Sequence, residues 1–181
     1  MTKLVAPHGG KLIPRLLMGE ELAAEIARAK SIPVVKMSSR ETSDLIMMAQ
    51  GAFSPLDGFM RKADYTTVVN EMHLANGLVW PIPITLSVSE DEAGKIKEGD
   101  EIALEDGQTG ELMGNMLVEE KYRYDKKKEA IQVFRTDDEA HPGVAKVYNQ
   151  GDVLLGGPIK AFSEGSYPVE FAEHYARPAE T

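Results

Sequence analysis

Few side chains in this sequence stand at spacings that could do chemistry. The histidines His8, His73, His141 and His174 are scattered, and His73 has no second histidine or carboxylate at metal-ligand spacing on its own helix. HExxH, a paired-carboxylate motif, a nucleophile elbow and a dinucleotide fingerprint are all missing from the sequence. Gly9-Gly10-Lys11 has the ending of a phosphate loop. Such a loop needs an earlier glycine and a Ser or Thr after the lysine, however, and Val5 and Leu12 stand there, so the segment reads as a turn. The basic cluster Lys121, Arg123, Lys126, Lys127 and Lys128 is interleaved with Tyr122 and Tyr124. Lysines neutralise phosphates and tyrosines stack on bases, so a free-standing RNA-binding module is one reading of it. Glu119, Glu120 and Glu129 dilute the charge, and the preferred reading is a solvated strand end running into a helix start. The residues alone therefore nominate no catalytic, cofactor-binding or metal-binding side chain.

Composition bounds what could position such groups. The chain has 181 residues, 43% hydrophobic and 27% charged, as expected for one main globular unit. A net charge of −9 counts against a general nucleic-acid binder. With no cysteine, disulfides and thiolate ligands are excluded. No signal-like segment stands at Met1 and no apolar run approaches membrane length, so a cytoplasmic location without membrane attachment is expected.

The elements follow from periodicity and punctuation. Leu4 to Leu17 is a turn-rich entry. Gly19–Lys30 carries Leu22, Ala23, Ile26 and Ala27 along one stripe, with acids early and bases late, which predicts an amphipathic helix. Ile32–Met37 predicts a strand, and Ser38 or Ser39 caps a helix through Gln50 that Gly51 ends. Asp64 suits an N-cap, and Tyr65, Val68, Val69 and Met72 give the next helix one buried face, with His73 at its end. Trp80, Ile82, Ile84, Leu86 and Val88 alternate as in a half-buried strand, although Pro81 and Pro83 restrict its start to an edge or a wall for a neighbouring domain. Ile102 and Leu104, a turn at Asp106–Gly110, then Leu112, Gly114, Met116 and Val118 predict a hairpin bent at Gly114, with Tyr122 and Tyr124 extending the returning strand. Asp125 caps a helix to about Phe134, and His141-Pro142-Gly143-Val144 opens another. Gly151–Ile159 reads as a strand broken at Gly156-Gly157-Pro158. Tyr167, Phe171 and Tyr175 form an apolar stripe interrupted by Pro168, and Pro178 suits the opening turn of a further helix.

The densest stretch is Gly51-Ala52-Phe53-Ser54-Pro55-Leu56-Asp57-Gly58-Phe59-Met60, where irregular backbone places large apolar side chains. It is followed by Asn76-Gly77-Leu78-Val79-Trp80-Pro81-Ile82-Pro83-Ile84-Thr85-Leu86. With Pro7-His8-Gly9-Gly10 and His141-Pro142-Gly143-Val144, these motifs resemble the N-terminal part of the ATP sulfurylase (sulfate adenylyltransferase) family, collinearly over nearly the whole chain. The resemblance implies an α+β fold, a PUA-like mixed β-barrel with several flanking helices over residues 1–170. Residues 171–181 would be a linker toward an α/β catalytic domain. It also implies a role in sulfur metabolism and sulfate assimilation, with ATP and Mg²⁺ used by the parent enzyme, sulfate and ATP as substrates, and a homo-oligomer. The family's Gln-x-Arg-Asn-Pro-x-His-x-x-His segment is absent here, so no catalytic, cofactor-binding or metal residue is carried over, and the isolated chain is expected to be inactive. Phe53, Leu56, Phe59 and Met60 are expected to be buried between the Tyr65–His73 helix and the Trp80–Leu86 stretch, with any exposed member facing the catalytic domain.

Overall fold

The computed structural model describes residues 5–181, so Met1 and Leu4, the expected first residue of the entry segment, lie outside the described residues. The elements are α1 (Gly19–Ala29), β1 (Val34–Met37), α2 (Ser39–Gln50), β2 (Gly58–Phe59), α3 (Lys62–Glu71), β3 (Leu86–Val88), α4 (Glu90–Ala93), β4 (Glu101–Asp106), β5 (Leu112–Leu117), β6 (Glu120–Arg123), α5 (Lys126–Glu129), a π-helical turn (Ala130–Phe134), α6 (Pro142–Asn149), β7 (Val153–Ala161) and α7 (Tyr167–Glu170). The strands pair in both senses and the helices are interspersed, which is the expected α+β class. None of the described helices is long and apolar enough to cross a membrane. The chain divides into two compact units, the first comprising residues up to Gly58, Glu101–Leu117 and Pro158–Thr181, the second Phe59–Asp100 and Val118–Gly157.

In the first unit β1 runs parallel to β4, β4 antiparallel to β5, and β5 antiparallel to the last residues of β7, with Gly114 opposite Ala161 and Met116 opposite Ile159. The expected hairpin is present, and its register shifts between Leu104 and Glu105. A Cβ on Gly114 would lie 2.5 Å from the Lys160 carbonyl oxygen, so glycine is required for the backbones to approach. Helix α2 forms as expected. Ser38 Oγ accepts the Glu41 N–H, the Glu41 carboxylate accepts the Ser38 N–H at 2.8 Å, and Gly51 at φ 83° closes the other end. Helix α1 also forms, but its packed stripe is Leu22, Ile26 and Ala29 against Ala103, Leu112 and Phe162, while Ala23 and Ala27 are exposed. The stripe is narrower than expected because the i, i+4, i+7 row alone meets the sheet. Glu25 on this helix accepts hydrogen bonds from Lys160 Nζ (2.6 Å), Arg28 (2.5 Å) and Asn115 Nδ2 (2.8 Å).

In the second unit β3 and β6 flank the first residues of β7, both antiparallel, with Leu86 and Lys121 each opposite Leu155. Strand β6 is thus a separate strand, where Tyr122 and Tyr124 were expected to prolong the hairpin. Helix α3 begins at Lys62 with Arg61 at its N-cap, so Asp64 is not the cap. Its carboxylate instead accepts the Ala75 N–H at 2.8 Å, tying down the chain after the helix. Tyr65, Val68 and Val69 are buried as expected, but Met72 is 45% exposed. The left-handed backbone at Met72 (φ 56°) turns the chain off the helix before the face is completed. Only Leu86–Val88 of the alternating 80–88 stretch is strand. Pro81 and Pro83 offer no N–H to a ladder, and Ile82 is 52% exposed. Asp125 accepts the Lys128 N–H at 2.9 Å as predicted, and the helix it starts passes from α5 into the π-helical turn. Pro142 opens α6 from the His141 cap, also as predicted.

Strand β7 runs unbroken through Gly156, Gly157 and Pro158, where a turn was expected. A Cβ on Gly156 would lie 2.7 Å from the Met60 carbonyl oxygen, so that glycine marks close approach rather than reversal. Pro168 sits in the first turn of α7 instead of interrupting an apolar stripe. Tyr167 and Phe171 stack with centroids 6.2 Å apart, while Tyr175 leaves the stripe and its hydroxyl bonds Glu164 at 2.9 Å. In the 51–60 loop Leu56, Phe59 and Met60 are buried and Phe53 is half-buried. Its first half is held within the first unit, where Ser54 Oγ accepts the Ile13 N–H at 2.8 Å, a seat not expected. In the second unit Met60 donates to the Ile84 carbonyl at 2.9 Å and accepts from Tyr122 at 2.6 Å, in keeping with the expected seat beside the 80–86 stretch.

The Lys160 ammonium, then Arg28 and Asn115, outweigh burial and hold the Glu25 carboxyl near 2, below its usual 4.5. A depressed carboxylate stabilises the fold fully above the unfolded value and loses that contribution as pH falls toward 2. Glu25→Gln is expected to cost about 1–3 kcal/mol at pH 7, with the gap to the parent closing between pH 4.5 and 2, as followed by urea denaturation at stepped pH.

Candidate functional site

The basic strand end is assembled in the second unit, and Lys121, Arg123, Lys126 and Lys127 are taken up by the chain itself, while Lys128 is exposed. Lys121 Nζ donates to the carbonyls of Ala93 (2.7 Å) and Ile96 (2.5 Å), which leave the end of α4. Arg123 pairs with Glu90 at 2.7 Å, Lys127 with Asp137 at 3.1 Å, and Lys126 with Asp152 at 2.7 Å. Lys126 also donates to the Gln150 carbonyl at 2.6 Å, beyond the last turn of α6, where a cation is favoured. The tyrosines are no more available. Tyr122 is buried, and Tyr124 Oη donates to the Gly151 carbonyl at 2.9 Å. Tyr65 packs between them, its ring centroid 5.6 Å from Tyr122 and 5.9 Å from Tyr124, and its hydroxyl donates to buried Glu129 at 2.8 Å. Burial first, and then Glu129, pushes the Tyr65 phenol far up. This arrangement locks β6 to its neighbours and commits both tyrosines to contacts within the second unit.

The histidines occupy separate places. His8 is exposed in a turn closed by Gly10 N–H on the Pro7 carbonyl (2.8 Å), the simple turn that the sequence suggests for Gly9-Gly10-Lys11. His73 Nδ1 donates to the Glu71 carbonyl just past α3. His141 caps α6 by accepting the Gly143 N–H at 3.1 Å, and His174 lies in the turn after α7. Among the described residues no group of three or more His, Cys, Asp or Glu side chains could hold a metal ion.

The first unit carries a feature that the sequence did not announce. A cleft of about 430 Å³ lies among α2, the β4–β5 turn, β5 and α7, with Asp106, Glu111 and Glu170 as its carboxylates, Tyr167 and Phe171 as an aromatic wall, and Ile46 and Met113 as apolar lining. None of its described lining residues is basic. Asp106 is positioned by Thr109 Oγ1 (2.7 Å), Thr42 Oγ1 (3.2 Å) and the Gln108 N–H (3.2 Å), and the Thr109 bond leads in holding its carboxyl below the usual range. Glu170 accepts from Ser166 at 3.1 Å, and Glu111 accepts from Ser163 Oγ. The i, i+4 spacing of Tyr167 and Phe171 was the one readable sign of it.

Residues 5–164 match the model of the PUA-like domain, and the chain belongs to that family. It is 56% identical over 180 residues to the sulfate adenylyltransferase of Chlorobaculum tepidum, covering 98% of this chain and 45% of that protein. With the sulfate adenylyltransferase of Thiobacillus denitrificans it shares 55% identity over 182 residues, covering 100% of this chain and 44% of that protein. The chain therefore spans less than half the length of these relatives, and the resemblance read from the 51–60 and 76–86 motifs extends along its whole length. Among solved structures, the hexameric APS kinase from Thiobacillus denitrificans aligns with a TM-score of 0.72 at 25% identity, over 98% of this chain and 30% of that one.

The Tyr65–Glu129 bond is expected to matter to stability. Tyr65→Phe removes a donor from a carboxylate that is 5% exposed and should cost about 1–3 kcal/mol in urea denaturation, with the far-ultraviolet dichroism unchanged.

Proposed function

We propose that residues 1–170 are the PUA-like N-terminal part of a sulfate adenylyltransferase, and that 171–181 lead toward an α/β catalytic domain. The observation that carries this reading is the 56% identity to such an enzyme over 98% of this chain. The reaction is attack of sulfate on the α-phosphorus of ATP, giving adenylyl sulfate and pyrophosphate. Two anions must meet and charge must be stabilised on the departing pyrophosphate, which calls for cations and helix N-termini converging on the phosphates. Lys121, Arg123, Lys126 and Lys127 are engaged with carboxylates and carbonyls of their own unit, so the chemistry is assigned to the catalytic domain, with Mg²⁺ accompanying the nucleotide there. The role of this chain is to support and orient that domain. Exposed Val79 and Ile82, 60% and 52% accessible, suit such a contact. A homo-oligomer is supported by the hexameric state named for the aligned APS kinase. A cytoplasmic location is in keeping with the metabolic enzymes to which the chain is similar.

Residues 1–181 alone are expected to release no pyrophosphate from ATP in a sulfate-dependent manner, while restoring activity to a relative's enzyme from which the matching part has been removed. Turnover by the isolated chain would overturn the assignment of chemistry elsewhere. An RNA mobility shift that weakens steeply with salt would favour the free-standing RNA-binding module instead.

A further inference from the structure

We propose that the acidic and aromatic cleft of the first unit is a docking site for an arginine-bearing segment of a partner protein chain. The inference rests on the make-up of the cleft and not on the enzyme family. Its volume of about 430 Å³ lies in the range of ligand-binding clefts, roughly 300–1,000 Å³. Asp106, Glu111 and Glu170 line it without a described basic neighbour in the lining, so it repels sulfate, nucleotide and nucleic acid and attracts a cation.

The aromatic wall decides which cation. Tyr167 and Phe171 are stacked 6.2 Å apart with their planes within 20°, and they are 46% and 47% exposed. Two such rings held near-parallel at the surface offer a flat face, on which a planar guanidinium stacks while its N–H fork reaches a carboxylate. An ammonium, compact and strongly hydrated, gains less from either contact. The carboxylates are held in place beforehand by Thr42, Thr109 and Ser166, so little side-chain ordering is left to the moment of binding.

The test uses the 181-residue chain, ¹⁵N-labelled and titrated with tetra-arginine, tetra-lysine and tetra-glutamate peptides and with maltotriose. Tetra-arginine is expected to bind saturably, with shifts concentrated at Thr109, Ser166, Tyr167, Glu170 and Phe171, and about threefold to fivefold more tightly than tetra-lysine. Phe171→Ala and Glu170→Gln, both at exposed positions, should each weaken tetra-arginine by a similar factor while keeping the amide spectrum dispersed. Equal affinity for the two cationic peptides with shifts spread over the surface would reduce the effect to attraction by the net charge of −9 and overturn the proposal. So would indifference to both substitutions, or localised binding of maltotriose without tetra-arginine, which would mark a neutral polyhydroxylated ligand.

Discussion

Direct approach of backbone to backbone is the constraint on which both units depend. In the first unit Gly114 lets β5 lie against the Lys160 peptide, and in the second Gly156 and Gly151 do the same against Met60 and Val88. A methyl group at any of these positions would meet main-chain atoms, which cannot rotate away as a side chain can. Residues placed by these contacts then fall into position. Ala161 and Phe162 come to lie beside Gly114 and Met113, and Tyr122 reaches the Met60 carbonyl.

Around those contacts, charge is used to close ends. Ser38 and Ser89 each form a capping box with a glutamate three residues on, Lys121 takes carbonyls at the end of α4, and Lys126 takes those beyond α6. Each bond satisfies a helix terminus that would otherwise rely on water. A cluster that looks from the sequence like a surface for phosphate is therefore largely tied to the chain's own carboxylates and carbonyls, while Glu111 and Glu170 of the first-unit cleft remain at its surface.

How much the sequence revealed depended on how local the cause was. Helix α2 was readable because its cap, its stripe and Gly51 all lie within a few residues of it. Asp64 misled because the amide whose bond it accepts, that of Ala75, belongs to the chain beyond the helix, and Arg61 carries no side-chain signal for a cap. Gly156 and Gly157 misled because glycine marks both a reversal and a close contact, and only the partner strand distinguishes them. Beyond the spacing of Tyr167 and Phe171 the cleft left no sign, because its walls come from residues 39–46, 106–113 and 165–171, which no spacing rule connects. The family motifs were legible through likeness, whereas the residues themselves offered only an apolar loop.

One feature near the end of the chain bears on force. Arg177 grips buried Glu164 through two hydrogen bonds from Nε at 3.0 and 3.1 Å and one from the guanidinium terminus at 2.5 Å, and Gln50 of α2 donates to Tyr175 at 2.8 Å. A pull applied beyond Arg177 is borne first by this clasp and passed sideways into α2 and the Glu164 segment. The load thus reaches the end of β7 only after part of it has been shared with α2.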